Sequence, residues 1–166
     1  MLDSSVYLLA DMTTTMFFLR APKCSKPNNP NLRLCQKGWD QATRAGIELR
    51  TTTLDAILCS PLPYAVQTAH EVERLHFAYN PPIEVHPSLI AKSTYSSEEV
   101  VMRNIKDVLS YALQRFRGKS ILLISHEEVA QGFIADHLGE SLAIIKTQHW
   151  SAIERGEIIC RQLIED

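Results

Sequence analysis

The feature that most constrains this chain is a short apolar run, Met16–Leu19, which ends on Arg20 and is followed by Ala21 and Pro22. Consecutive apolar residues stopped by a charge and a proline are typical of a strand buried on both faces of a parallel sheet. Ligands of such sheets bind beyond the carboxyl ends of the strands. We therefore predict that Arg20 lies at a ligand-binding edge.

Strand-like and helix-like segments alternate along the rest of the chain. Further strands are predicted at residues 54–59, 83–86 and 120–126, and helices at residues 36–49, 61–75, 98–116 and 127–138. Ser60 is the expected N-cap of the second helix, with Pro61 as its first residue. Two antiparallel strands flank Arg155-Gly156 near the end of the chain. This alternation predicts a three-layer α/β/α sandwich with a mostly parallel central sheet.

Length and composition indicate a single domain. The chain has 166 residues, of which 45% are hydrophobic, enough for one ordinary core. We assign residues 1–14 to an N-terminal extension and residues 15–166 to the domain. A net charge of -2 offers no basic surface for nucleic acid or for an anionic membrane. The apolar stretch 6–10 lacks the basic flank of a signal peptide and is too short to span a bilayer.

The cysteines suggest a reducing compartment. They follow no metal-binding spacing and are expected to be free thiols of a cytoplasmic protein. They are Cys24, Cys35, Cys59 and Cys160. His126-Glu127 opens a string that partly matches a zinc motif, but Ala130 stands where the second histidine is required. No metal or other cofactor is predicted.

Four separated motifs occur in a fixed order. The first is Arg20-Ala21-Pro22 at the end of a strand, and the second is Leu-x-x-x-Gly-x-x-Gln-Ala at 34–42. The third is Ser-Pro-Leu-Pro-Tyr-Ala-Val-Gln-Thr-Ala at 60–69, and the fourth is the strand at 121–126, which ends in Ser-His. Together they resemble the histidine phosphatase superfamily, which has the phosphoglycerate-mutase-like fold, and within it the short SixA-type phosphohistidine phosphatases.

The resemblance implies a role for each residue of the predicted site. In the family the first motif reads Arg-His-Gly, and its histidine attacks phosphorus; here the nucleophile position is Ala21. An arginine of the third motif binds phosphate, and Tyr64 stands in its place. Arg20 and His126 remain to hold phosphate oxygens, with Ser60 and Tyr64 as further phosphate-binding residues. The catalytic set is therefore degenerate, and His126 is its residual member.

Further departures from the family pattern accompany the lost histidine. Pro22 replaces a glycine and removes a backbone N–H, and Ser88 stands in the segment that can carry the family's acid. Several changes together indicate natural divergence, since one substitution would be enough to inactivate an enzyme by design. Loss of a covalent nucleophile can reduce a rate by about 10⁶. Catalysis by the family mechanism is not expected.

Three functions remain open from the sequence. The first is a catalytically impaired pseudophosphatase whose residual anion pocket binds phosphate, a phosphorylated small molecule or a phosphoprotein, in a binding or regulatory role. The second is an active phosphohistidine or phosphate-ester phosphatase with an unusual nucleophile, Cys24 or His126. The third is a structural or oligomeric partner in which Tyr64 fills the old pocket and neighbours such as Glu127 satisfy Arg20.

Overall fold

The computed structural model describes residues 13–22, 32–77, 79–90, 97–141, 143–144 and 154–163. Within them the strands are β1 (Thr14–Arg20), β2 (Ala56–Cys59), β3 (Ile83–Val85), β4 (Ser120–Ser125) and β5 (Ile158–Leu163). The α-helices are α1 (Gln36–Leu49), α2 (Pro63–Leu75), α3 (Glu98–Arg115) and α4 (Glu127–Leu138), and a 3-10 turn spans Pro87–Leu89.

The sheet has the order β3-β2-β4-β1-β5. Its first four strands are parallel, and β5 pairs antiparallel with β1 at one edge. Arg20 lies opposite Ser125 of β4, and Leu19 lies opposite Ile158 of β5. The carboxyl ends of β1, β2 and β4 therefore meet at one edge of the sheet. The predicted mostly parallel sheet is confirmed.

Helices cover both faces of the sheet, as the alternation of strands and helices predicted. One buried cluster joins Met16 and Phe18 of β1 to α3 and α4, and the Phe18 and Phe133 ring centroids are 5.5 Å apart. The other cluster joins Leu19 and Ala21 to α1 and α2. Successive side chains of a strand point to opposite faces, so β1 contributes to both cores. The three-layer α/β/α sandwich is confirmed.

The start of α2 corrects one prediction. Ser60 is not its N-cap, because the helix begins at Pro63 and Leu62 is the residue in extended conformation before it. Proline fits the first turn of a helix, where its missing N–H needs no partner, so the helix begins at Pro63 rather than at Pro61. The hydroxyl of Ser60 bonds instead to His126 and accepts a bond from the Leu62 N–H.

Other boundaries differ from prediction by one or two residues: β2 begins at Ala56 and α3 ends at Arg115. The predicted bounds of α4 are confirmed, with Gly139 after it in the left-handed conformation with φ 67°. β1 begins at Thr14, the last residue assigned to the N-terminal extension. Residues 1–12, and residues 151–153 of the first strand of the predicted terminal hairpin at 151–154, lie outside the described residues. Across the described ranges, no helix is long and apolar enough to cross a membrane.

Candidate functional site

Neighbouring strand ends and two helix starts position the predicted site residues. Arg20 ends β1 and Ser60 follows β2, while His126 follows β4 as the N-cap of α4. Tyr64 lies in the first turn of α2. We call Arg20, Ser60, Tyr64 and His126 the strand-end site.

His126 is held by two hydroxyl groups. Its Nε2 lies 2.8 Å from the Ser60 Oγ, and its Nδ1 lies 2.6 Å from the Tyr64 hydroxyl oxygen. The Tyr64 and His126 rings meet edge to face, with centroids 5.4 Å apart. Because Ser60 and His126 are both buried, these bonds fix the orientation of the imidazole. The structure therefore brings Ser60, Tyr64 and His126 into direct contact.

The surroundings of His126 keep its imidazole neutral. Burial, reinforced by the positive charge of Arg155, lowers the pKa of His126 from 6.5 to about 4. A neutral imidazole has one N–H and one lone pair. In either tautomer one nitrogen donates to a hydroxyl oxygen and the other accepts a hydroxyl proton. At neutral pH His126 therefore adds no positive charge to the strand-end site.

Arg20 is paired with a carboxylate. One Nη2–Oε2 contact of 2.5 Å joins it to Glu127, in the first turn of α4. The Arg20 side chain is 14% exposed and that of Glu127 is 48% exposed. Burial lowers the pKa of Arg20, opposed by Glu127 and reinforced by Arg155. The guanidinium thus already binds an oxyanion, supplied by the chain itself.

Ala21 belongs to the hydrophobic core. It is 5% exposed and packs in the cluster that contains Leu19 and Cys59, and the partly buried Tyr64 packs against the same cluster. Its backbone N–H donates to the Ser125 carbonyl oxygen at 2.6 Å, which extends the pairing of β1 with β4. The methyl group therefore contributes apolar contact and no reactive atom.

Glutamines of the second and third motifs form hydrogen bonds that join neighbouring segments. The Gln67 Oε1 accepts from the Leu34 N–H at 2.8 Å, which ties the start of α1 to α2. The Gln41 Nε2 donates to the Arg155 carbonyl oxygen at 2.9 Å, which ties α1 to the turn before β5. The resemblance located these residues, but only the structure shows what they bond.

Sequence reasoning missed Arg155. Its charge acts on both Arg20 and His126, although it is 135 residues from the former along the chain. An Arg-Gly pair at a predicted turn carries no signal of a binding residue. The turn is placed beside Arg20 by the antiparallel pairing of β5 with β1.

Known proteins share the motifs and the architecture. The sequence profile of the histidine phosphatase superfamily (branch 1) matches residues 26–93, which contain the second and third motifs. YhfR from Bacillus stearothermophilus superimposes with a TM-score of 0.73 at 16% identity, covering 89% of this chain and 90% of that chain. The resemblance to the histidine phosphatase superfamily is confirmed. No curated protein sequence matches the chain.

Two further structures share this histidine-phosphatase fold. One, assigned as the phosphohistidine phosphatase SixA of Agrobacterium tumefaciens, has a TM-score of 0.64 at 18% identity and covers 92% of this chain and 96% of that chain. The other is phosphoserine phosphatase from Entamoeba histolytica in complex with 3-phosphoglyceric acid, with a TM-score of 0.71 at 15% identity and 89% coverage of each chain. At these identities the likeness shows the fold.

The Cys59 thiol is buried next to the strand-end site. Burial raises the pKa of the Cys59 thiol to about 11, so it is protonated at neutral pH. Cys24 lies outside the described residues. In the ranges the structure covers, no three His, Cys, Asp or Glu side chains come together in a way that could hold a metal ion.

Proposed function

We propose that this chain is a non-catalytic histidine-phosphatase-like domain that binds an oxyanion at the strand-end site. The observation that carries the proposal is the buried methyl group of Ala21 at the position where the resemblance implies an attacking imidazole. A methyl group has no lone pair, so a phosphohistidine cannot form at this residue. The residual pocket then serves binding or regulation.

The contacts of His126 argue against a replacement nucleophile. Both of its ring nitrogens lie within hydrogen-bond distance of a hydroxyl group, and the ring is buried. Attack on phosphorus would require the lone pair to leave its hydroxyl partner. Since loss of a nucleophile can reduce a rate by about 10⁶, turnover at this site is expected to be undetectable.

Arg20 is the group that favours anion binding. Guanidinium groups bind carboxylate and phosphate through the same planar fork, so the contact of Arg20 with the Glu127 carboxylate supports phosphate binding at the same guanidinium. Glu127 is half exposed and can turn into solvent when a ligand replaces it. Whichever of the Ser60 and Tyr64 hydroxyls accepts from His126 can itself donate to the anion. The ligand class is a phosphate, free or carried by a small molecule or a protein, which agrees with the phosphate ligand named for the Entamoeba structure.

The same contacts favour a second candidate, a purely structural domain. Arg20 and His126 both have partners within the chain, and Tyr64 lies against His126. If these contacts persist in the presence of phosphate, the old pocket is simply filled. The two candidates differ in one measurable property, the affinity for inorganic phosphate.

The test measures phosphate binding and turnover on the same protein. Isothermal titration calorimetry with inorganic phosphate is expected to show binding that Arg20→Ala abolishes and Arg103→Ala, an exposed arginine on α3, leaves unchanged. Hydrolysis of p-nitrophenyl phosphate and trapping of acid-labile phosphate on the protein are both expected to give nothing above background. Turnover that depends on Arg20 would contradict the non-catalytic proposal. Absence of phosphate binding would overturn the anion site and leave the structural candidate.

A further inference from the structure

The turn that precedes β5 is bonded to both sides of Arg20. The Arg20 N–H donates to the Glu157 carbonyl oxygen at 3.1 Å, and the Gly156 N–H donates to the Arg20 carbonyl oxygen at 2.8 Å. Arg155 directly precedes this pair of bonds, at the same edge of the sheet as the strand-end site. Its backbone position is therefore fixed relative to Arg20.

Two further contacts hold the turn in one conformation. Gln41 donates to the Arg155 carbonyl oxygen at 2.9 Å. Gly156 has φ 84°, and a Cβ added there would lie 3.1 Å from the Gln41 Cβ. A glycine adopts this conformation without strain and allows α1 to approach the turn. These contacts therefore hold the backbone of Arg155 in one conformation.

The charge of Arg155 reaches the strand-end site. It lowers the pKa of both Arg20 and His126, which agrees with the backbone hydrogen bonds that hold its turn beside Arg20. Among the residues the structure describes, Arg155 makes no ion pair. Glu127 offsets the repulsion of Arg155 at Arg20 in the empty site, so an anion that replaces Glu127 between the two guanidinium groups takes over that attraction and adds the attraction of Arg155.

We propose that Arg155 is the second cation of the anion site, so that a phosphate dianion is held between the guanidinium groups of Arg20 and Arg155. This inference rests on the proposed function and adds a residue that no motif contains. The third motif has Tyr64 where the family has an arginine. Arg155 lies in a different part of the chain and supplies a positive charge in place of that arginine. The site then has two positive charges for the two negative charges of a phosphomonoester.

The surface next to Arg155 has room for the rest of such a ligand. A cleft of about 440 Å³ lies between α1 and the turn. Its charged lining residues are Lys37, Asp40, Arg44, Glu154 and Arg155. Because the lining carries both positive and negative side chains, the cleft suits a polar group that is attached to the phosphate.

The test compares Arg155 with Arg103, an exposed arginine on α3, by calorimetry with inorganic phosphate. Arg155→Ala is expected to weaken binding on the order of tenfold, because a charge-assisted hydrogen bond is lost. Arg155→Lys should fall between Arg155→Ala and the wild type, since the charge stays and the fork is lost. Arg103→Ala removes an equal charge far from the cleft and should leave affinity within about twofold of the wild type.

The outcomes separate this inference from the proposed function. If Arg155→Ala binds phosphate as tightly as the wild type while Arg20→Ala does not bind, the inference is wrong and the anion site stands. Equal losses in Arg155→Ala and Arg103→Ala would show a general charge effect and would also overturn it. If the wild type does not bind phosphate at all, the proposed anion site fails and this inference fails with it.

Discussion

Replacing Glu127 by glutamine tests whether the chain's own carboxylate competes with a ligand for Arg20. In the wild type, phosphate must break the contact between Arg20 and Glu127. With Glu127 half exposed, that ion pair contributes at most about 1 kcal/mol. A displaced carboxylate that stays roughly 6 Å from a dianion adds about 1.4 kcal/mol of repulsion in water. Together these effects correspond to an affinity gain of about ten- to fiftyfold in Glu127→Gln.

The matched control is Glu128→Gln. It removes the same charge from the first turn of the same helix, but no contact joins Glu128 to Arg20 among the described residues. Calorimetry with inorganic phosphate at pH 7.5 and fixed ionic strength should show a gain for Glu127→Gln and at most about a twofold change for Glu128→Gln. Equal effects of the two variants, or an unchanged affinity in Glu127→Gln, would refute the idea that Glu127 occupies the anion site.

Two further predictions concern stability. His126 has a pKa of about 4 in the folded chain and about 6.5 when unfolded, so the unfolded state binds more protons between these values. Urea unfolding should show the free energy of unfolding falling by up to about 3 kcal/mol as pH drops from 6.5 to 4, and His126→Gln should flatten that slope. Gly156→Ala should lower stability by more than Gly139→Ala in thermal unfolding. Both glycines have positive φ, but only at Gly156 would the new Cβ meet a neighbour, Gln41. Equal losses in the two glycine variants would contradict the close approach.

The positions of Arg20 and His126 could be predicted because each follows an apolar run. A short apolar run bounded by charged, proline or glycine residues is typical of a strand of a covered sheet, and the polar residue that ends such a strand lies at the sheet's edge. The same reasoning failed at Ser60. A serine before a proline fits a helix start, but a second proline two residues later fits better, and the serine hydroxyl bonds to His126.

The partners of these residues could not be predicted from local patterns. Glu127 was one of several neighbours that could have satisfied Arg20, and only the packing of α4 beside β1 selects it. No sequence pattern marked Arg155 as a site residue, because its proximity to Arg20 depends on the pairing of β5 with β1 across 135 positions of sequence. Contacts between distant segments are set by sheet order, which the periodicity of single segments does not encode.

The sequence by itself determined the α/β/α architecture, the strand ends at which Arg20 and His126 lie, and the presence of alanine where the resemblance implies a nucleophile. Periodicity and residue identity are local properties, so these points need no coordinates. Four features required the folded chain: Ala21 packs in the core, Glu127 pairs with Arg20, two hydroxyl groups orient His126 while burial keeps it neutral, and Arg155 approaches from the turn before β5. Burial and charge proximity depend on which segments pack together, and that is a property of the folded chain.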